Sequence, residues 1–476
     1  MKNPFVKTRK MLCFLAIVCI GNWLSLHANL VAAQEEAIDQ KQAFAQTRIA
    51  VQKAIGPIER AMVGYRESRR CFSCHHHTHA IIGLTEMAVR GLKVDRDLLK
   101  IQFVQTVGRT QGVEQRYLNH SNIGGGVDTT GHALMAMRTG GHLPDETTTA
   151  MVKWILKRDQ GRGFWTGTKN RPPTQTSDAT RTWMCLDALE HFGPQELSNE
   201  INERKSKSRD WLLEFEAKST EDASSQIRAL HVIGKADLAV KQFATELINQ
   251  QRDDGGWAQT SEMESDAYAT GSALITLHQY AGRATNENFY QRGIKFLKSS
   301  QLEDGTWHVK TRATPVQKYF ESGFPHGRDQ FISMTATCWA ATAMALTLPK
   351  QKKESEKLTS PIFELSKENE TQFLARFKKE IWPLVSDNKK SSCVRCHDSK
   401  HRSSLRLAGE AKSDFETMLS NGLFHPKDPI GALFLITSDD KSLVMPPSKL
   451  PGWNDEQIDA LKRFSQDLYQ ARIESK

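Results

Sequence analysis

The residues with the clearest chemical potential form two Cys-x-x-Cys-His motifs. The first motif comprises Cys71, Cys74 and His75, and the second comprises Cys393, Cys396 and His397. This spacing is typical of haem c attachment, in which both thiols bind the haem vinyl groups and the imidazole binds the iron. A redox dithiol and half of a zinc site are the alternatives. A zinc ribbon would have its Cys pairs about 15–20 residues apart, whereas these pairs are more than 300 apart. We therefore predict two covalently bound haem c groups, with His75 and His397 as iron ligands.

Haem attachment of this kind requires export, and the N-terminus has the features of an export signal. A basic start (Lys2, Lys7, Arg9, Lys10) precedes an apolar stretch over 11–26, and Val31-Ala32-Ala33 resembles a cleavage site. We predict that residues 1–33 are a signal peptide and that the mature protein is periplasmic or otherwise exported. A retained signal anchor is the alternative. No later apolar stretch reaches about 18 residues, so no stable membrane span is expected after cleavage.

Cys185 and Cys338 are the two cysteines that lie outside both the predicted signal peptide and the two motifs. Both lie among small and apolar residues, which favours buried core thiols, and an oxidising compartment leaves a disulfide between them open.

Removal of residues 1–33 takes away four basic side chains and lowers the formal charge from +9 to +5. This mild positive charge is compatible with an acidic redox partner protein or an anionic polymer, and no nucleic-acid-binding stripe is present.

An internal repeat runs through the first three hundred residues. Gln-x-x-Asp-Gly-x-Trp occurs from Gln251 to Trp257 and from Gln301 to Trp307, with weaker copies at Trp165 and Trp211. The tryptophans are separated by 46, 46 and 50 residues, a step that fits one helical hairpin of two helices of about 12–15 residues plus turns. The repeat therefore predicts an all-α architecture of stacked helical hairpins.

Acidic and hydroxyl residues begin the small-residue segment that follows each tryptophan. Such residues are typical helix N-caps, and their carboxylates suit the positive end of the helix dipole. Cys74 lies 54 residues before Asp128, close to one repeat step. We therefore expect the first haem at the mouth of a helical ring, within about 20 Å of a set of inner-helix carboxylates. That set is Asp128, Asp178, Asp222 and Asp266.

The repeat resembles the α/α toroid of terpenoid cyclases (squalene cyclase type) and protein prenyltransferases. The resemblance covers roughly residues 45–350 and depends on Gln251, Asp254, Gly255 and Trp257 with their counterparts Gln301, Asp304, Gly305 and Trp307. It implies an α/α toroid, but neither an Asp-x-Asp-Asp motif nor a convincing zinc set near Cys338 is present. Cyclase or prenyltransferase activity is therefore not expected.

An insertion over 319–330 mixes aromatic, glycine and charged residues. That composition suits a pocket lining and suits an ordinary capping loop equally well. His326 in the insertion and His132 are the two candidates for the distal face of the first haem. His76, His77 and His79 are expected to line the haem edge or to face solvent.

The last hundred residues resemble a small class I cytochrome c domain. A charged linker over 351–370 precedes residues 371–476, which contain the second motif and then Met445 within a Met-Pro-Pro segment. The resemblance implies that Met445 is the second axial ligand of the haem iron at His397. The whole chain thus resembles toroid–cytochrome fusions.

The leading functional hypothesis is an exported di-haem c-type cytochrome that transfers electrons to a redox partner protein. One alternative is a haem-dependent oxidoreductase acting on an isoprenoid, a glycan or another small molecule in the toroid cavity. The other is a ligand- or partner-binding module without catalysis. The sequence assigns no catalytic residue.

Overall fold

The computed structural model describes residues 40–69, 72–110, 114–234, 236–315, 318–351, 365–386, 393–397, 407–425 and 453–474. Two units are distinguished, residues 1–49 and residues 50–476. In the first unit, residues 40–49 are helical. The predicted signal peptide lies outside the described residues, as does most of the predicted linker.

The described residues of the second unit are mostly helical, which confirms the all-α prediction, and they contain one sheet, an antiparallel ladder of two residues per strand. A π-helical turn, Cys74–His79, leads directly into the helix Ala80–Ala88, and a second π-helical turn, Phe377–Ile381, joins the helices Lys367–Arg376 and Trp382–Ser386. The elements up to the last tryptophan repeat are α1 (50–68), α2 (Ala80–Ala88), α3 (Arg96–Thr110), α4 (Glu114–Leu118), α5 (Gly126–Thr139), α6 (Glu146–Lys157), α7 (Asp178–Phe192), α8 (Ser198–Glu214), α9 (Thr220–Ile233), α10 (Asp237–Asn249), β1 (Trp257–Ala258), β2 (Ser265–Asp266), α11 (Ala267–Gln279), α12 (Asn288–Ser300) and α13 (Gln330–Ala345). The C-terminal helices are α14 (Lys367–Arg376), α15 (Trp382–Ser386), α16 (Cys393–Cys396), α17 (Ala411–Ser420) and α18 (Asp455–Glu474).

The helices up to α13 form two sets that differ in burial. The core helices are buried on most sides, whereas the flanking helices other than α3 keep exposed residues on one side; α3 is exposed only at Arg96. Each core helix contacts the next one along the chain, and the last contacts the first, so the contacts form a closed cycle. The core helices are α2, α5, α7, α9, α11 and α13, and the flanking helices are α1, α3, α6, α8, α10 and α12.

Close approach between core helices depends on small residues, as at Gly271 of α11. A Cβ atom at this position would lie 2.7 Å from the backbone nitrogen of Ala340 on α13. Such a distance is well inside van der Waals contact, so any side chain here would separate the two helices.

The tryptophan motif is a helix-to-helix turn whose residues each have a distinct role. Trp257 is fully buried, and its indole N–H donates to the carbonyl of Leu247, ten residues earlier on α10. Asp254 accepts the backbone N–H of Gly256 at 2.8 Å, and Gly255 adopts a left-handed φ of 87° that favours glycine. The Gln251 side chain donates to the carbonyl of Phe289 on the next flanking helix. The motif therefore connects consecutive hairpins.

The second copy of the motif repeats this geometry and connects the last hairpin to the first. The Trp307 indole donates to the carbonyl of Leu297 at 2.9 Å. The Gln301 amide donates to the carbonyl of Ala50 at the start of α1. Trp165 is a third equivalent, since its indole donates to the carbonyl of Ile155, again ten residues earlier.

Trp211 is not an equivalent of these tryptophans, so that part of the repeat prediction was wrong. It lies inside α8 rather than in a turn, and its half-buried ring stacks on Phe164 with centroids 4.6 Å apart. The 46-residue spacing to its neighbours is therefore coincidental. Helix capping was predicted better at two positions, because the side chains of Ser177 and Asp266 accept first-turn N–H groups of α7 and α11. The cap of α9 is Ser219 and not the predicted Asp222, which lies in the first turn.

The C-terminal helices share a separate apolar core. Phe377 of the second π-helical turn, Phe415 of α17 and Phe464 of α18 are fully buried together, and Ile101 of α3 joins the same cluster. Arg472 of α18 also forms an ion pair with Asp97 of α3, at 2.6 Å. These contacts attach the C-terminal helices to α3. Within the described part of the chain, no helix is both long and apolar enough to cross a membrane.

Candidate functional site

A cavity of about 350 Å³ opens beside Cys74 and His75, at the N-terminal ends of core helices. First-turn residues of α5 and α13, including Asp128 and Phe331, form part of its wall. Loop residues over 171–175, 311–315 and 318–320 form another part. The cavity wall is mainly apolar and aromatic, and it contains Tyr65, Phe72, Pro172, Pro315, Phe320, Phe331 and Ile332.

His75 is held in one orientation by α13. Its Nδ1 lies 2.6 Å from the hydroxyl of Thr335, and that hydroxyl donates to the carbonyl of Phe331. With its own proton directed at that carbonyl, the hydroxyl accepts a hydrogen bond from Nδ1–H, and in this tautomer Nε2 has the lone pair. Burial, reinforced by His76, lowers the pKa of His75 well below its ordinary value, so the ring is neutral. A neutral imidazole oriented through Nδ1 is the form that binds a metal through Nε2. Among the described residues, nothing hydrogen-bonds to Nε2 of His75.

Cys74 is a free thiol next to His75 on the cavity wall. Burial raises the pKa of its thiol to about 11. The Cys74 thiol is therefore protonated at neutral pH and is itself not a thiolate nucleophile. Cys71, the other cysteine of this motif, lies outside the described residues.

The other three histidines of the π-helical turn are buried structural residues, so the expectation that they could face solvent was wrong. The imidazole of His76 pairs with the hydroxyl of Ser322 at 2.9 Å, which attaches the insertion to the turn. His77 lies within hydrogen-bonding distance of Ser73, and His79 donates through Nδ1 to the carbonyl of Cys74. Of the four histidines, His75 is the one that lines the cavity. π-Helical turns are rare and often occur at functional sites, and this one gives His75 a different environment from its neighbours.

The insertion over 319–330 contributes Tyr319, Phe320 and Arg328 to the cavity wall, which favours the pocket-lining alternative. His326, a candidate for the distal face, instead hydrogen-bonds through Nε2 to Thr306 and stacks on His308. His132, the other candidate, is buried and donates through Nδ1 to the carbonyl of Asp128. Neither histidine is part of the cavity wall.

Of the four aspartates predicted at the ring mouth, Asp128 lines the cavity and the others do not. Burial raises the pKa of Asp128 to about 6, and the opposing influence comes from Arg181, whose Nε lies 3.0 Å from the carboxylate. The Arg181–Asp128 pair joins α7 to α5, and Arg181 also pairs with Asp178 on its own helix. Asp266 caps α11, and Asp222 accepts the backbone N–H of Lys218. Three of the four therefore have roles at helix ends.

Three cationic side chains in the cavity wall were not identified from the sequence. No motif marks Arg171, Lys318 or Arg328 individually, although Arg328 lies in the insertion that the sequence offered as a pocket lining. Thr335, which orients His75, was missed for the same reason, since a threonine within an apolar helix gives no signal. The cavity thus combines an apolar interior, a neutral imidazole and a cationic rim.

The second Cys-x-x-Cys-His motif forms the single helical turn α16, and the backbone N–H of His397 donates to the carbonyl of Cys393. Cys393 and Val394 pack against the apolar cluster of the C-terminal helices. The carbonyl of His397 accepts the N–H of Leu407 at 2.7 Å. The side chain of Cys396, together with Met445, lies outside the described residues.

Cys185 and Cys338 are free, buried thiols, as expected for core residues, and they do not form a disulfide. Burial raises the thiol pKa of both. Among the described residues, no group of three or more His, Cys, Asp or Glu side chains is arranged to hold a metal ion.

Comparison with known proteins gives one partial similarity. Lanosterol synthase from Candida albicans, an enzyme with a squalene cyclase-type fold, is 33% identical to this chain over 92 residues. The match covers 17% of this chain and 13% of that enzyme's length. No protein-family model matches the chain. A short segment of this mostly helical protein is therefore similar to a squalene cyclase-type enzyme.

Proposed function

We propose that this chain is an exported di-haem c-type cytochrome that transfers electrons to a redox partner protein. In this proposal, an α/α toroid carries the first haem on Cys71, Cys74 and His75. A class I cytochrome c domain carries the second haem on Cys393, Cys396 and His397, with Met445 as the second axial ligand.

The toroid part of the proposal is supported by the closed cycle of core helices, each accompanied by a flanking helix. Further support comes from the tryptophan turns, whose glutamines reach the next flanking helix and finally return to α1. The similarity to lanosterol synthase is in keeping with this architecture.

The state of His75 is the observation that carries the proposal for the first haem. Its ring is neutral, is oriented by Thr335, lines a cavity and has a lone pair on Nε2. Around it, apolar side chains would contact the faces of a flat macrocycle and exclude water. The cations Arg171, Lys318 and Arg328 would complement the two haem propionates. A bound haem c would supply one-electron redox chemistry at its iron.

The proposal for the second haem depends mainly on sequence. Cys393 and Val394 contact an apolar cluster, which suits a site that must shield one face of a haem. Met445 remains a prediction, since it lies outside the described residues. Its replacement by alanine is expected to abolish the sulfur-to-iron charge-transfer band in the absorption spectrum.

Intact mass and the reduced pyridine haemochrome spectrum test the proposal. The exported protein, produced together with haem-maturation machinery, is expected to carry two covalent haems. A Cys71→Ala/Cys74→Ala variant should retain one haem, and a Cys393→Ala/Cys396→Ala variant should retain the other. A wild-type protein with no covalent haem would refute the proposal, and one haem would refute the part assigned to the missing motif.

A second candidate function is a haem-dependent oxidoreductase acting on an isoprenoid, a glycan or a small molecule. The cavity beside His75 favours it, because a substrate could occupy space next to the haem. Neither His326 nor His132 is part of that cavity wall, which suits an open distal position. High-spin iron that binds carbon monoxide would support this candidate, and six-coordinate low-spin iron at both haems would favour electron transfer alone.

A further inference from the structure

A second cavity, of about 550 Å³, lies at the opposite end of the core helices. All six core helices, or residues directly following them, contribute to it. On α5, Thr129 lines the first cavity and Thr139 lines the second. Ten helical residues span about 15 Å, so the two cavities are separate sites.

The second cavity contains buried hydrogen-bond donors that have no acceptor. The indole N–H groups of Trp183 and Trp339 are buried and form no hydrogen bond among the described residues, and both rings line the cavity. The hydroxyls of Thr85 and Thr342 in the same wall are likewise unbonded. An indole nitrogen can only donate, and unsatisfied buried polar groups are few in native proteins. Their clustering therefore indicates that the cavity suits a molecule with several hydrogen-bond acceptors.

Arg228 adds a buried positive charge between the two tryptophans. Its guanidinium carbon lies 4.7 Å from the ring centroid of Trp183 and 5.4 Å from that of Trp339. Nε and Nη2 donate to Thr276 and Ser272, and no carboxylate in the described chain lies within 4 Å of the guanidinium. The side chain is 1% exposed. Glu221, seven residues earlier on α9, is a buried carboxyl whose pKa Arg228 lowers, but it forms no ion pair with Arg228 within 4 Å, and burial raises its pKa overall. A buried cation without an anion in direct contact is costly, so an anion in the cavity would stabilise Arg228.

The other charges at this site compensate each other. Arg138 pairs with Asp187 at 2.9 Å, and Glu86 pairs with Arg90. These two pairs are neutral overall, so Arg228 leaves one positive charge. Ile82, Met135 and Ile275 provide apolar surface in the same wall. The chemistry that fits is one negative charge with several acceptor atoms attached to a small apolar body.

We infer that the second cavity binds a small organic carboxylate with an aromatic or short aliphatic body. Its carboxylate oxygens would accept hydrogen bonds from Arg228, Trp183 and Trp339, and its apolar body would contact the indole rings and the aliphatic side chains. This site is independent of the haem proposal, because its residues are at the other end of the core helices.

Calorimetric titration of the full-length exported protein with 4-bromobenzoate tests the inference, with the neutral isostere 4-bromobenzamide as the matched ligand. We expect the carboxylate to bind about tenfold more tightly than the amide or better, as one charge-assisted hydrogen bond would give. Arg228→Gln should remove this preference. A Trp183→Phe/Trp339→Phe variant keeps both rings, loses both N–H donors, and should weaken binding about tenfold.

Thr342→Val is a variant that should fold as the wild type does. Its buried hydroxyl has no partner in the described residues, so an isosteric apolar replacement should leave the thermal midpoint unchanged or raise it. It should weaken carboxylate binding severalfold. Absence of carboxylate binding at millimolar concentration would overturn the inference and indicate that water satisfies these donors. Equal binding of both ligands, or binding unaffected by every variant, would overturn it as well. None of these outcomes affects the haem count, which tests the proposed function separately.

Discussion

The tryptophan turns and the π-helical turn Cys74–His79 occupy comparable positions before core helices, but they differ in how their side chains are used. In the turn from Gln251 to Trp257, the glutamine, aspartate and tryptophan side chains all bond to backbone groups. In the π-helical turn, His76 and His79 are satisfied in a similar way. Nε2 of His77 is buried without a hydrogen bond among the described residues, whereas His75, which also has one ring nitrogen without a hydrogen bond, is the histidine of the turn that lines the cavity.

This difference separates structural turns from a functional one. A turn whose polar atoms are all satisfied contributes to stability and offers nothing to a ligand. The first hairpin has irregular helical geometry and several buried, neutral imidazoles at the place where a cavity opens. Local departures from regular structure are expected at functional sites.

The largest effect is expected for Trp257→Ala. Trp257 is fully buried and its indole donates to Leu247, so we expect the free energy of unfolding to fall by about 3–5 kcal/mol. Urea denaturation followed by far-UV circular dichroism measures this loss. Trp211→Ala is the matched control, since Trp211 is half-buried and lies within α8, and its loss should be clearly smaller. Equal losses would show that Trp211 also has a bracing role.

The next largest loss of stability is expected on acidification, through His132 of α5. Burial lowers the pKa of His132 from 6.5 to about 4, so below pH 6.5 the unfolded chain takes up a proton that the folded chain does not. The stability contributed by neutral His132 is therefore lost as the pH falls from about 6.5 to about 4, by roughly 3 kcal/mol in all. Denaturation midpoints measured across this pH range provide the test.

His132→Gln is the control for that pH dependence. The amide does not titrate, so the decline in stability between pH 6.5 and 4 should become shallower. Burial also lowers the pKa values of His76, His77 and His79, so part of the decline should remain. An unchanged decline would show that His132 does not contribute.

The smallest effect on stability, with a specific spectroscopic consequence, is expected for Thr335→Val. Loss of the hydroxyl that contacts His75 should cost about 1 kcal/mol and alter the absorption spectrum of the first haem. Thr335→Ser should restore both. Thr337→Val removes a hydroxyl on the same helix that accepts the N–H of Trp307, so it should cost similar stability without the spectral change. Identical spectra for the two valine variants would contradict the positioning role of Thr335.

The tryptophan turns were largely predictable because their interactions are local. Gln251, Asp254, Gly255 and Trp257 bond mainly within one turn and its adjoining helices, so a short motif specifies them. Trp211 shows the limit of this approach. Spacing alone placed it in the repeat, but it lies within α8, where contacts with Phe164 and Phe215 determine its environment.

Within the candidate site, the Cys-x-x-Cys-His motif could be predicted, because the proposed covalent attachment of haem would require that fixed spacing. By itself, the sequence determined the helical class, the two Cys-x-x-Cys-His motifs and the position of the first motif before a core helix. Only the tertiary structure decided which of four adjacent histidines faces a cavity. The reason is that Thr335, Ser322 and Arg171 come from distant segments, and long-range packing rather than local sequence brings them to the π-helical turn.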